Sequence, residues 1–129
     1  MKSIESILIV DDDPTSNYIC KYLLSTEFKK LQIKTFINPL DALNHIKEKN
    51  CKQENLILLD LNMPEMNGYQ FLDHIESIGV DCPVVILTNS NNIIEKEYSK
   101  KHPHIKAFFK KPFSKNHINE IKEAVLNKN

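Results

Sequence analysis

Acidic side chains stand at the ends of two apolar runs of this sequence, where they could hold a cation. Asp11 and Asp12 follow residues 7–10, and Asp60 ends residues 56–60. Short apolar runs bounded by turn residues predict strands that are buried on both faces of a parallel sheet. Open α/β sheets bind their ligands at the carboxyl ends of the strands, so both acidic segments are predicted to lie at the ligand-binding edge.

Asp11, Asp12 and Asp60 would then converge, and three carboxylates at close range cannot all stay ionised without a counter-charge. A hard divalent cation offsets their repulsion most simply. Mg²⁺ prefers oxygen ligands, retains waters and often bridges to phosphate. Neither strand ends in a His or Cys, so zinc suits this position poorly. We therefore predict a Mg²⁺ (or Mn²⁺) site.

Two further polar side chains are predicted at the same edge of the sheet. Thr88 ends a fourth apolar run, and Lys111 follows a fifth. A carboxylate nucleophile, a metal ion, an ammonium and a hydroxyl are the groups that phosphoryl transfer requires. Asp60 would form an acyl phosphate, while Lys111 would pair with the phosphoryl group as a point charge.

Five predicted strands alternate with five predicted helices, which indicates a parallel sheet with helices on both faces. The strands cover residues 7–10, 33–37, 56–60, 83–88 and 107–110, and the helices cover residues 14–29, a segment starting at Pro39, residues 69–78, residues 91–101 and a segment capped by Ser114. The commonest five-stranded order is 2-1-3-4-5. This order makes the two acid-bearing strands neighbours.

Apolar residues at helical spacing support these helices, and the first two helices begin with Asp or Asn before Pro. The apolar positions are Tyr18, Ile19, Tyr22 and Leu23 in the first helix, Ala42, Leu43 and Ile46 in the second, and Phe71, Leu72, Ile75 and Ile78, all predicted to face inward, in the third. Asp13 is predicted to cap the first helix. The fourth helix has few apolar residues, so we expect it to be the most exposed and least stable.

Composition restricts the class of protein. With 129 residues and 41% hydrophobic content, the chain suits one domain with a substantial core. Its 17 basic residues, all Lys, balance 17 acidic ones, which argues against direct nucleic-acid binding. Three widely spaced Cys indicate reduced thiols, and no apolar stretch is long enough to span a bilayer. We therefore predict a cytoplasmic protein without membrane insertion.

Four motifs carry a resemblance to a known family. Over essentially its whole length, the chain resembles the receiver domain of two-component response regulators. The resemblance rests on the order and spacing of four motifs, ILIVDDDP, LILLDLNMPEMNG, VVILTNS and FFKKPF. The resemblance implies a flavodoxin-like, doubly wound (βα)5 three-layer sandwich. It also implies phosphoryl transfer to Asp60 from a sensor histidine kinase or a histidine phosphotransfer protein.

The matched positions imply roles for individual residues around the acceptor. Asp12 would bind Mg²⁺ directly, Asp11 largely through water, and the backbone carbonyl of Asn62 would complete the protein ligands. Lys111 matches the lysine of this family's motif, and its peptide bond to Pro112 is expected to be cis.

Thr88 matches the signalling hydroxyl and Phe108 the aromatic switch of the family. Together they would couple the site to a face made by the fourth helix, the fifth strand and the fifth helix, where an unknown downstream protein would bind. Only three residues follow the fifth predicted helix, so we expect residues 1–129 to form a single receiver domain with no effector domain. Such a protein is a switch rather than an enzyme, limited to self-catalysed phosphoryl acceptance and slow autodephosphorylation.

Two alternatives stay open at this stage. The run from Asp11 to Thr15 spells Asp-x-Asp-x-Thr, similar to haloacid-dehalogenase-type phosphatases in which Asp11 would be the nucleophile. That class needs a further acidic pair after its lysine, whereas only Glu120 and Glu123 follow Lys111. The other alternative is a binding module of the same fold that works without phosphorylation. Flavin binding is less favoured, because no Ser/Thr/Gly-rich loop follows the first strand.

Overall fold

The acid-bearing strands of this chain lie side by side in a five-stranded parallel sheet. The computed structural model describes residues 4–89, Glu97 and residues 102–126. In chain order the elements are β1 (Ser6–Val10), α1 (Pro14–Glu27), β2 (Gln32–Phe36), α2 (Pro39–Glu48), β3 (Asn55–Leu59), α3 (Gly68–Ser77), β4 (Val84–Thr88), β5 (Ile105–Lys110) and the C-terminal helix (Lys115–Ile121), which continues as a π-helix over Lys122–Leu126. The helix predicted over residues 91–101 lies outside the described residues. None of the described helices is both long and apolar enough to cross a bilayer.

The strand order is β2-β1-β3-β4-β5, with every neighbouring pair parallel. This order confirms the prediction, and the architecture is the flavodoxin-like α/β fold. Val10 at the end of β1 pairs with Phe36 on one side and with Leu59 on the other. The ladder continues one residue further, because the Asp11 N–H donates to the Phe36 carbonyl (3.1 Å) and the Asp60 N–H donates to the Val10 carbonyl (2.9 Å). Asp11 and Asp60 are therefore held at neighbouring strand ends.

The core has two halves, one on each face of the sheet. On one face α2 and α3 cover a cluster that includes Leu8, Val10 and Phe71, and on the other α1 and the C-terminal helix cover a cluster that includes Ile7 and Ile9. Successive residues of β1 thus enter opposite halves of the core, as expected for a strand buried on both faces. A sheet held from both sides gives the strand ends a rigid base.

Local sequence explains where the helices start. Asp13 accepts a hydrogen bond from the Thr15 N–H (3.0 Å), and Asn38 accepts one from the Leu40 N–H (2.9 Å). A proline follows each cap at the first position of the helix, where its missing N–H is not needed. The predicted cap role of Asp13 is confirmed.

The structure identifies the buried face of α1 and corrects one predicted inward position of α3. Tyr18 and Tyr22 are 72% and 60% exposed, and α1 instead meets the sheet through Asn17, Cys20 and Leu24. Both sets of positions recur at helical spacing, and the set with larger apolar side chains lies on the solvent side. Ile78 is also partly exposed, because α3 ends at Ser77 before the chain turns at Gly79.

Strand β5 contains one irregularity. Ile105 pairs with Val84 and Ala107 pairs with Val85, so Lys106 is an extra residue without a counterpart on β4. Beyond this bulge Phe108 pairs with Ile86 and packs against the α2–α3 half of the core, while Phe109 lies in the other half. The bulge therefore sets which face each phenylalanine occupies.

Candidate functional site

Three carboxylates converge where β1 and β3 end. Ligand oxygens of Asp11, Asp12 and Asp60 lie within 4.8 Å of one another. Asp11 and Asp60 are buried, and Asp12 is the least buried of the three. Adjacency of the two strands, rather than any contact along the chain, brings Asp60 to the acidic pair.

Lys111 reaches this cluster from the end of β5. Its Nζ lies 2.8 Å from Asp11 Oδ2 and 3.8 Å from Asp60 Oδ2, and its side chain is only 13% exposed. The Lys111 N–H donates to the Thr88 carbonyl (2.8 Å), which fixes the start of the side chain beside the end of β4. The peptide bond between Lys111 and Pro112 is cis, as the resemblance implied.

Burial and charge shift the protonation equilibria of this site. Burial, and then the charge of Asp11, raise the pKa of Asp60 to about 6, while Lys111 partly offsets that rise. Burial alone would lower the pKa of Lys111, but its hydrogen bond to Asp11 and the charges of Asp11 and Asp60 raise it above its usual value. The ammonium is thus firmly charged, and it compensates only part of the negative charge around Asp60.

The loop after β3 connects Asp60 to β4. The Asn62 N–H donates to Asp60 Oδ1 (3.3 Å), and the Asn62 side-chain amide donates to the hydroxyl of the fully buried Thr88 (2.9 Å). Phe108 lies on β5 opposite Ile86, two positions before the level of Thr88, and it is only partly buried. The structure therefore places Thr88 in contact with the acceptor loop and Phe108 outside the acidic cluster.

Gly68 allows this loop to fold tightly against the start of α3. Its N–H donates to the Leu61 carbonyl (2.8 Å), and a Cβ on Gly68 would lie 2.5 Å from Leu61 Cδ2 and 2.7 Å from Leu61 Cα. Any side chain here would push the loop that carries Asp60. The glycine of the MPEMNG motif is thus explained by close backbone approach.

The donor set of the cluster fits a hard divalent cation. It consists of carboxylate oxygens, which Mg²⁺ and Mn²⁺ prefer. The thiol of Cys20 is on the buried face of α1, and burial followed by the charge of Asp11 raises its pKa to about 12. It therefore stays a protonated thiol, and the three carboxylates remain the ligands on offer. A divalent cation here would also relieve the repulsion that disfavours ionised Asp60.

A cavity of about 270 Å³ opens beside Lys111, between α1 and the segment that follows β5. Ser16 and Ile19 of α1 form one wall, and Asn89 and Phe113 contribute to the others. Ile19 belongs to the exposed apolar face of α1 described above. The site is therefore approached along a partly apolar surface.

Two asparagine side chains of the site were not assigned from the sequence. Only the backbone carbonyl of Asn62 was predicted to take part, yet its amide contacts Thr88. The Asn17 amide donates to the Asp11 carbonyl (2.8 Å), although Asn17 is buried on the sheet side of α1. The signal that could have identified Asn17 is its position as a polar residue on the buried face of α1. The apolar residues beside it in the sequence made this signal hard to recognise.

Comparisons with known proteins agree with this geometry. The family model described as response regulator receiver domain matches residues 7–123. Sporulation initiation phosphotransferase F of Bacillus subtilis is 33% identical over 123 residues, covering 94% of this chain and 90% of that protein. Sensor histidine kinase RcsC of Escherichia coli is 34% identical over 93 residues, covering 70% of this chain but only 9% of that protein.

A crystal structure of a two-component response regulator from Cytophaga hutchinsonii has a TM-score of 0.85, with 22% identity, and covers 98% of this chain and 100% of that chain. At this identity the structural likeness supports the fold alone.

Proposed function

The chain belongs to the response regulator receiver domain family, and from this premise we propose that Asp60 accepts a phosphoryl group in a Mg²⁺-dependent reaction. Receiver domains are signalling switches of phosphorelays. The observation that carries the proposal is the position of Asp60, whose carboxylate lies within 4.8 Å of Asp11 and Asp12 ligand oxygens and 3.8 Å from the Lys111 ammonium.

The proposed reaction is an in-line displacement. An oxygen of Asp60 attacks the phosphorus of a phosphohistidine, the P–N bond breaks, and the imidazole leaves with the electron pair of that bond. The Asn62 N–H and Lys111 hold the Asp60 carboxylate on its two oxygens, and Lys111 then pairs with the transferred group. Mg²⁺, held by Asp11, Asp12, Asp60 and the Asn62 carbonyl, would supply charge neutralisation of the phosphoryl oxygens.

Asp60 suits the acceptor role better than Asp11. Asp11 Oδ1 accepts the Asp13 N–H (3.0 Å), and Asp11 Oδ2 is bound to Lys111 at 2.8 Å. Asp60 has longer contacts on both oxygens, at 3.3 and 3.8 Å. The phosphatase alternative, which needs Asp11 as the nucleophile, is therefore disfavoured.

We further propose that Thr88 and Phe108 transmit phosphorylation to the surface. A hydroxyl bond from Thr88 to the phosphoryl group would draw Thr88 inward, and the Phe108 ring would move into the space that it vacates. Reversing a 1:99 equilibrium to 99:1 requires about 5.5 kcal/mol of differential binding. The output face would comprise β5, the C-terminal helix and the predicted helix over residues 91–101, with a downstream protein as its partner.

The phosphodonor is proposed to be a sensor histidine kinase or a histidine phosphotransfer protein. A segment of a protein named sensor histidine kinase is similar to this chain, as is a protein named phosphotransferase. Tyr18, Ile19 and Tyr22 form an exposed apolar face of α1 that borders the cavity beside Lys111. Such a face suits a helical donor that presents its phosphohistidine to Asp60.

The test is to incubate the protein with acetyl phosphate and Mg²⁺ and to locate the label by peptide mass mapping. We expect one phosphoryl group on Asp60, no labelling in Asp60→Asn, and parental labelling in Asp73→Asn, an exposed acid of α3. Label on Asp11 would indicate the phosphatase alternative. An unlabelled protein that still binds the metal would indicate a phosphorylation-independent module.

A further inference from the structure

Asn17 makes a buried contact with the backbone of the acidic pair. It is 3% exposed, on the face of α1 that otherwise presents Cys20 and Leu24 to the core. Its Nδ2 donates to the Asp11 carbonyl at 2.8 Å. Its Oδ1 is buried and accepts no hydrogen bond from any of the described residues.

This arrangement does not favour stability. Leaving a buried acceptor unsatisfied generally costs more free energy than one ordinary hydrogen bond returns. An aliphatic side chain at position 17 would continue the apolar face formed by Cys20 and Leu24 and would remove the unsatisfied amide oxygen, although it would leave the Asp11 carbonyl without this donor. The single bond to Asp11 is therefore the feature of Asn17 that packing does not explain.

The bonded carbonyl belongs to the peptide group that joins Asp11 to Asp12. Because a peptide group is planar, fixing the direction of its carbonyl also fixes the direction in which Asp12 leaves it. On the Asp11 side the N–H is already held by the Phe36 carbonyl (3.1 Å). Among the described residues, the Asp12 carboxylate has no hydrogen bond or ion pair that would orient it. The peptide plane is thus the restraint on Asp12 that the described part of the chain provides.

We propose that Asn17 is a positioning residue of the metal site, which aims the Asp12 carboxylate at the divalent cation by holding the Asp11–Asp12 peptide. This proposal deepens the proposed function, since it concerns the cation that phosphoryl transfer to Asp60 requires. Partners that orient metal ligands typically contribute 10–100-fold to metal affinity or activity.

The test measures Mn²⁺ binding by electron paramagnetic resonance, without any phosphodonor. Asn17→Leu and Asn17→Ala both lack the amide, and we expect each to bind Mn²⁺ roughly 10-fold more weakly than the parent. We also expect Asn17→Leu to unfold, in the absence of metal, within a few degrees of the parent, because it removes one unsatisfied acceptor and leaves the Asp11 carbonyl as another. The amide resonance of Asp12 should shift in both variants.

Leu24→Val is the matched control, because it disturbs the same face of α1 two turns further on and leaves the acidic pair untouched. It should lower stability and leave Mn²⁺ affinity within twofold of the parent. Unchanged Mn²⁺ affinity in both Asn17 variants would overturn the proposal, and so would an equal loss in Leu24→Val.

The two proposals fail separately in these experiments. Labelling of Asp60 combined with unchanged Mn²⁺ affinity in the Asn17 variants would overturn only the role of Asn17. A parent protein that is never labelled, but whose Mn²⁺ affinity still depends on Asn17, would overturn only the acceptor role of Asp60.

Discussion

The side-chain amide of Asn62 holds the hydroxyl oxygen of Thr88 at 2.9 Å, which joins the loop after the acceptor to the end of β4. If Thr88 moves towards a phosphoryl group, this bond must break or rearrange. One hydrogen bond contributes about 0.5–1.5 kcal/mol, so Asn62→Ala should make the activated conformation roughly 2–10-fold easier to reach. The measurement is the affinity for beryllium fluoride, a phosphoryl mimic, by calorimetry.

A double-mutant cycle provides the control for this prediction. In a Thr88→Val background the Asn62 amide has no hydroxyl to hold, so Asn62→Ala should no longer change beryllium fluoride affinity. A gain of the same size in both backgrounds would show that Asn62 acts on the acceptor site by another route.

The raised pKa of Asp60 predicts how stability depends on pH. Its folded-state pKa of about 6 exceeds the ordinary value of 3.8, so protonated Asp60 favours folding below about pH 4, and this contribution is lost as pH rises through about 6. In metal-free protein at pH 8, Asp60→Asn should therefore be more stable than the parent by about 1–3 kcal/mol. Urea denaturation with a chelator at pH 8 and pH 4 measures this difference, which should vanish at pH 4.

Asp73→Asn, on the exposed side of α3, is the control for the loss of one carboxylate. Mg²⁺ should stabilise the parent more than Asp60→Asn, because only the parent offers the third carboxylate. A parent that is as stable as Asp60→Asn in chelator at pH 8 would contradict the proposed repulsion.

Removing the Lys111 ammonium should affect stability and metal binding in opposite directions. Lys111→Met leaves Asp11 and Asp60 without their cation, and breaking a buried pair of this kind costs about 3 kcal/mol in metal-free protein. The same change removes a positive charge from the metal site, so Mg²⁺ should bind more tightly. Thermal unfolding with and without Mg²⁺ measures both effects, and exposed Lys110→Met is the neighbouring control. Weaker Mg²⁺ binding in Lys111→Met would contradict the expectation that the Lys111 ammonium opposes Mg²⁺ binding at this site.

His117 should contribute to acid sensitivity. Its ring stacks on Phe109 with 4.4 Å between centroids, and its Nδ1 accepts the Ser114 N–H (3.2 Å), which requires a neutral imidazole. Burial lowers its pKa from 6.5, so its stabilising contribution is present above pH 6.5 and is lost as pH falls below that value. Proton titration by NMR should give a value for His117 below 6.5.

In denaturation experiments between pH 7 and pH 5, His117→Phe should lose less stability than the parent on acidification. Exposed His74→Gln is the control for the loss of one imidazole. His45, whose pKa is also lowered by burial, and Asp60, whose raised pKa of about 6 lies in this range and acts in the opposite direction, both contribute to the remaining slope. An equal slope in the parent and in His117→Phe would show that the ring is not the sensor.

Much of the fold could be predicted from the sequence, because both the apolar runs and the helix caps are local signals. The strand order followed from the alternation of strands and helices, and it placed Asp60 beside Asp11. Tyr18 and Tyr22 show the limit of this reasoning. Helical spacing identifies a helix but does not say which of two candidate faces meets the sheet. A small side chain such as Cys20 can pack against the sheet as closely as a large one.

The side chains around the carboxylates were harder to predict. Motif positions suggested Thr88 and Lys111, but no motif indicates that the amide of Asn62 reaches β4 or that Asn17 turns back to Asp11. Those bonds depend on how a loop and a helix end are placed in three dimensions. Asn17 contacts one backbone carbonyl and Asn62 contacts one hydroxyl, and isolated contacts of this kind produce no periodic pattern in the sequence.

The extra residue at Lys106 makes β5 unequally tolerant of deletions along its length. Deleting Lys106 itself would restore regular pairing with β4 and would leave the downstream chain in phase. Deleting a residue between the bulge and Lys111 would move the side chains on one side of the deletion to the opposite face of the sheet. It would also draw the lysine back from the carboxylates. Length variants of this strand should therefore be tolerated at its beginning and excluded near its end.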